Sequence, residues 1–156
     1  MIRLTRQSDY GIVLMTRLAA QPELGKSAPD LAMALEIPLP MVSKTLKLLA
    51  KAGLLVSQRG AKGGYSLPRP ASEISIADII EALEGPIAIT DCTDETLSAH
   101  DCSRESICSV RDHWHVINRA VSRALSAVSL ADMVHPPPSQ TLVHLGAGRP
   151  QVRESA

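Results

Sequence analysis

Phenylalanine is missing altogether from this 156-residue chain, and one tryptophan and two tyrosines are its only large aromatic residues. A core must therefore be assembled from Leu, Ile, Val, Ala and Met, which suits small packed helices. Also missing is any apolar run near the ~20 residues of a membrane-spanning helix, so no membrane partner is expected. The start, MIRLTRQSDY, lacks the basic-then-apolar layout of a secretory signal. A cytoplasmic, reducing location is the expectation, where cysteines bind metal or respond to redox more often than they form disulfides. There is no CxxC pair, the usual mark of structural zinc. No Ser/His/Asp or paired-carboxylate arrangement points to a pocket, so the chain is not expected to be an enzyme. His113 and His115 flank Trp114, but neighbouring residues on a helix point to different sides. No internal repeat is visible.

Cysteine is scarce too. All three lie in CTDETLSAHDCSRESIC, at Cys92, Cys102 and Cys108. Three thiols leave a disulfide with a spare, a tetrahedral metal one ligand short, or a cluster that takes its fourth ligand from elsewhere.

What is present is a globular composition, 45% hydrophobic, long enough for one domain and an appendage. The net charge of zero hides a division. Residues 1–70 hold ten Lys/Arg against four Asp/Glu, whereas residues 71–134 hold four against eleven. A basic first half suggests a face for a polyanion.

Tyr10, Val13, Leu14 and Leu18 recur at helical spacing and predict a helix over about 6–20. Ser27 with Asp30 forms a capping-box pattern opening a second helix, about 28–36, that buries Leu31 and Leu35. After EIPLP, Pro40 can open a third helix whose buried stripe is Val42, Leu46 and Leu49, with Gly53 at its end. Its other face carries Ser43, Lys44, Lys47 and Lys51. Two short helices about a tight break, the second basic outside, make a helix-turn-helix. LLVSQRGAKGGYSL then reads as a two-stranded hairpin with Arg59 and Lys62 at a glycine-rich tip. The expected fold is mainly α: a winged helix-turn-helix with a small β-hairpin wing and a long C-terminal dimerisation helix.

Ser75 and Asp78 box a fourth helix ending at Gly85-Pro86, with Ile76, Ile79, Ile80 and Leu83 inward. A longer helix over about 109–128 spaces Trp114, Ile117, Val121, Ala124 and Val128 by three and four, the seam of a homodimer helix. The chain thus divides into a DNA-binding domain at 1–70, a connecting helix and loop at 71–91, a cysteine loop at 92–108, a dimerisation helix at 109–134 and a linker-like tail at 135–156.

Double-stranded DNA is the expected partner. Lys44, Lys47 and Lys51 suit phosphates, and Ser43 and Lys44 stand where a recognition helix reads bases. Arg59 and Lys62 suit a minor groove, with Gly60, Gly63 and Gly64 letting the backbone approach closely.

LTRQSDYGIVLMTRLA, PLPMVSKTLKLLAKAGLLVSQRGAKGGYSL and EISIADIIEALEGPIAITDC resemble the IscR, NsrR and RirA group of bacterial winged-helix regulators, nearest to its SUF-system iron–sulfur assembly members. The resemblance covers about residues 1–134; the RGxxGGY wing followed by three cysteines is its specific part. It implies a homodimeric regulator, a repressor ahead of an activator, whose DNA binding depends on an iron–sulfur cluster held by Cys92, Cys102 and Cys108. A 2Fe-2S form is expected ahead of a 4Fe-4S form. The five residues between Cys102 and Cys108 match the family, but the gap from Cys92 to Cys102 is longer and Arg111 replaces the histidine some members use. Asp9, matching an N-terminal aspartate that reaches the partner's cluster in NsrR-like relatives, and His113 are the candidate fourth ligands, with Asp112 and His100 behind His113. Position 43, a glutamate in IscR, is Ser43 here, so no operator sequence carries over. A zinc site or a metal-free thiol switch on the same cysteines is the alternative.

Overall fold

The computed structural model describes residues 3–22, 25–58, 63–94, 96, 102 and 107–135. Helices α1 (Arg6–Ala19), α2 (Ala28–Leu35) and α3 (Leu39–Lys51) lead into strands β1 (Val56–Gln58) and β2 (Gly64–Ser66), then α4 (Ile76–Glu84), α5 (Arg111–Ser126) and α6 (Leu130–Val134). Single 3₁₀ turns lie at Ala71–Glu73 and Asp91–Thr93. This is a mainly helical winged helix-turn-helix with a two-strand hairpin and a C-terminal helical segment.

Local chemistry sets the helix ends. Thr5 caps α1, accepting from the Ser8 N–H at 3.3 Å. Ser27–Asp30, Ser75–Asp78 and Ser129–Asp132 form reciprocal capping boxes on α2, α4 and α6, each satisfying N–H groups that a helix start leaves orphaned. Between α2 and α3 the chain turns through Glu36, a non-glycine at φ 55°, a conformation that costs about 1 kcal/mol. The reward is Ile37, which swings inward and is 8% exposed. At the far end of α3, Gly53 at φ 75° completes a Schellman motif. Its N–H donates to Ala50 O and the Leu54 N–H to Leu49 O at 2.9 Å.

The core is one cluster: Leu14, Met15 and Leu18 from α1, Leu31 from α2, Val42, Leu46 and Leu49 from α3, Leu54 and Leu55 before the wing, Ile74, Ile76, Ile79 and Ile80 at α4, and Leu130 from α6. Two expectations change here. Val13 is 38% exposed, and Met15 takes its place in the stripe. The helix expected at 109–134 is two helices: α5 stops at Ser126, and Ser129 starts α6. The break occurs because residues 128–130 pair with the backbone before α4, the Leu130 N–H donating to Ile74 O at 2.7 Å and the Ile76 N–H to Val128 O at 2.9 Å. That pairing buries Leu130 completely. Among the described residues no helix is long and apolar enough to cross a membrane.

Candidate nucleic-acid interface and cysteine segment

Helix α3 buries Val42, Thr45, Leu46 and Leu49, which turns Lys44, Lys47 and Lys51 outward at spacings of three and four, all three exposed. None makes an ion pair with a described residue. Their charges are therefore free to meet phosphates along one edge. Ser43 beside them is half-buried. The sequence reading missed Leu39 and Pro40, which stand exposed at the N-terminal tip of the same helix, Leu39 at 42%. Apolar groups at the tip of a recognition helix can take thymine methyl groups. The signal was there, two apolar residues ahead of the buried stripe.

In the wing, β1 and β2 pair antiparallel with Val56 opposite Ser66, Ser57 opposite Tyr65 and Gln58 opposite Gly64. A third segment joins them. The Tyr65 N–H donates to Lys26 O at 2.9 Å and the Lys26 N–H to Tyr65 O at 3.3 Å. A Cβ at Gly64 would lie 2.6–2.9 Å from Lys26 backbone atoms. The bare backbone of Gly64 thus serves this junction at the root of the wing. Gly63 is half-buried next to it, and the tip residues Arg59 and Lys62 lie outside the described residues.

Cys92 sits in the Asp91–Thr93 turn, which a reciprocal pair of threonines closes. The Thr93 hydroxyl donates to Thr90 O at 2.8 Å and accepts the Thr90 N–H at 3.2 Å, and Thr93 is buried. The Thr90 hydroxyl lies 3.3 Å from the Cys92 Sγ. Cys108 precedes α5, its carbonyl accepting the Arg111 N–H at 3.4 Å. All three cysteines are free and half-buried, and the residues flanking Cys102 lie outside the description. Just past the turn, hydrogen bonds from the Thr96 hydroxyl and N–H hold the Asp94 carboxyl below its ordinary range.

Asp9 is exposed in the first turn of α1, where the helix dipole favours a carboxylate. His113 and Asp112 are exposed near the start of α5, and His100 lies outside the described residues. Among the described residues no three His, Cys, Asp or Glu side chains are gathered as metal ligands. Three free thiols are nevertheless the donor chemistry that iron–sulfur groups use.

Glu84, which the sequence reading did not single out, ties α4 to the start of α1. Its carboxylate accepts the Thr5 hydroxyl at 2.7 Å, the Thr5 N–H at 3.3 Å and the Ser8 hydroxyl. Burial pushes its pKa up, but those three hydrogen bonds outweigh it and the net direction is down. On α5 no residue is buried. Val116, Ile117, Ala120, Ala124 and Val128 are exposed, while Trp114, Asn118, Val121 and Leu125 are half-buried.

Comparison with known proteins agrees with this geometry. Residues 4–136 match the Rrf2 family, iron-dependent transcriptional regulators. Protein rrf2 of Nitratidesulfovibrio vulgaris is 32% identical over 134 residues, covering 85% of this chain and 87% of that protein. The structure of CymR, the global cysteine regulator of B. subtilis, superposes with a TM-score of 0.68 at 29% identity, covering 86% of this chain and 97% of the other. T. potens IscR superposes at 0.66 and 28% identity, over 85% and 86%.

Proposed function

The chain belongs to the Rrf2 family of DNA-binding winged-helix transcriptional regulators, not of enzymes, and from that premise we propose a homodimer whose operator affinity is controlled by an iron–sulfur cluster on Cys92, Cys102 and Cys108. The observation that carries this is position. The three free thiols lie in the segment that leads from the DNA-binding half to α5. Cys92, Cys102 and Cys108 would hold the cluster, with Asp9 or His113 as the fourth ligand, and a 2Fe-2S form is preferred to 4Fe-4S. When bound, the group supplies iron–thiolate bonds that crosslink the segment.

The chain's own residues do the rest. Ser43 and Lys44 read the major groove, Lys47 and Lys51 neutralise phosphates, and the wing with Arg59, Lys62, Gly63 and Gly64 takes the neighbouring minor groove. The exposed apolar side of α5, around Ile117 and Ala124, supports pairing with a second copy. Two recognition helices related by a two-fold axis then require a roughly palindromic operator. Repression of iron–sulfur assembly genes, in the cytoplasm, is the output that the sequence resemblance favours.

A second reading keeps the same cysteines as a zinc site or a metal-free thiol switch. It draws on the same three free thiols, since thiolates also bind zinc or respond to oxidation. One preparation separates the readings. Protein purified without oxygen should be coloured, contain iron and acid-labile sulfide, and lose both on Cys102→Ala, with a matching change in operator footprint. Colourless protein with stoichiometric zinc, or metal-free protein whose footprint responds to thiol oxidation, would overturn cluster control. For the DNA face, Lys47→Ala should flatten the dependence of log affinity on log salt by about one unit.

A further inference from the structure

Gly85 ends α4, and from there residues 86–90, with bends at Pro86, Ile89 and Thr90, form a strap beside α5 that leads to the Cys92 turn. Strap backbone needs hydrogen-bond partners, and among the described residues the only strands are the two of the wing, which pair with each other. A single side chain supplies two. The Asn118 amide donates from Nδ2 to Ile87 O at 2.9 Å, and its Oδ1 accepts the Ile89 N–H at 3.1 Å. The two bonds imitate one rung of a β-ladder, with the amide of an α5 residue standing in for the partner strand. A side-chain amide carries the donor and the acceptor on two separate atoms that reach both backbone groups at once, whereas a carboxylate cannot donate and an aliphatic residue can do neither.

From Ile89 the connection continues without a loose joint. Thr90 is the next residue. Its N–H and carbonyl close the turn with Thr93, and its hydroxyl meets the Cys92 sulfur at 3.3 Å. A change at that sulfur would therefore be met first by the Thr90 hydroxyl, one residue from the Ile89 N–H that Asn118 holds. On α5, Asn118 lies one turn from Trp114, the only tryptophan in the chain and half-buried on the same side of the helix.

We infer that Asn118 is a positioning residue that couples the Cys92 turn to α5, so that chemistry at this one sulfur is felt by the helix proposed to pair the subunits. The inference deepens the cysteine-control reading and rests on it only for the consequence at the operator.

The test uses the full chain with Cys102→Ser and Cys108→Ser, leaving Cys92 as the sole thiol, and therefore does not depend on any cluster. Iodoacetamide modifies Cys92, and Trp114 emission reports α5. With Asn118 present, alkylation should shift the emission. In Asn118→Ala the shift should fall to less than half, and the rate of Cys92 alkylation should rise by up to about tenfold as two hydrogen bonds are lost. Asn118→Gln, which keeps the amide on a longer stem, should restore part of the shift, which a merely structural role would not produce. Circular dichroism verifies folding, and Asn118→Asp, which keeps only the acceptor, replaces the alanine variant if that one unfolds. An emission shift of equal size with and without the amide, or no shift with Asn118 in place, overturns the inference. Absence of iron from the unmodified protein would instead count against cluster control alone.

Discussion

Helices α3 and α5 carry apolar stripes of similar design, yet they occupy different situations in one chain. In α3 the stripe is Val42, Leu46 and Leu49, each fully buried against α1, α2 and α4. In α5 no residue is buried, and Ile117 is 42% exposed. Neither helix length nor pattern explains the contrast, for they have 13 and 16 residues and both are strongly amphipathic. The difference is supply. The winged helix closes its core among its own helices, with α6 adding Leu130, and little apolar surface is left over to cover α5. An apolar stripe that its own chain covers only in part, at Trp114, Val121 and Leu125, is what supports the proposed pairing with a second copy.

That contrast can be attacked at its strongest point first. Leu46→Ala opens a cavity in the closed half and should cost about 3 kcal/mol, read as a lower urea midpoint. Ile117→Asp should leave the winged helix folded while weakening self-association on the order of 30-fold. Sedimentation across a concentration series measures this, and unchanged association would mean that the subunits meet elsewhere. Ser75→Ala removes the cap of α4 and should cost about 1 kcal/mol in the same urea assay. The smallest effect concerns Glu84. Its pKa is lowered on folding, so its contribution is present above the ordinary carboxylate range and fades as pH falls through the folded value. Glu84→Gln should therefore lower stability slightly at neutral pH and leave it nearly unchanged at the acid end, which flattens the acid limb measured by urea midpoints from pH ~6 to ~3.

Much of the winged helix was legible because its signals are local. Capping boxes at Ser27 and Ser75, the three-four spacing in α3 and the glycine-rich turn of the wing each act within a few residues. The same Ser-x-x-Asp signature at Ser129 and Asp132 could have revealed α6, but it was absorbed into a single long helix because the apolar spacing runs on through Val128. Lysines on the outer face of α3 were found from periodicity alone. Leu39 was not, since an exposed apolar residue at a helix tip looks like the beginning of the core stripe. Glu84, Asn118 and the Lys26–Tyr65 pairing had no sequence signal at all. Their partners lie 79, 31 and 39 positions away, and no periodicity spans such gaps.

What the amino-acid order determined by itself is the set of elements and their faces: which helices start where, which side of each is apolar, where the cations gather and where the thiols stand. Backbone capping and side-chain periodicity operate over three or four residues, so they are written in the chain directly. Only the tertiary structure decided that α6 returns to seal the core, that Gly64 serves the backbone of Lys26, and that one asparagine holds the strap before Cys92 against α5. Those outcomes depend on which unsatisfied backbone groups and uncovered side chains come within reach after packing, and distance along the chain says nothing about that.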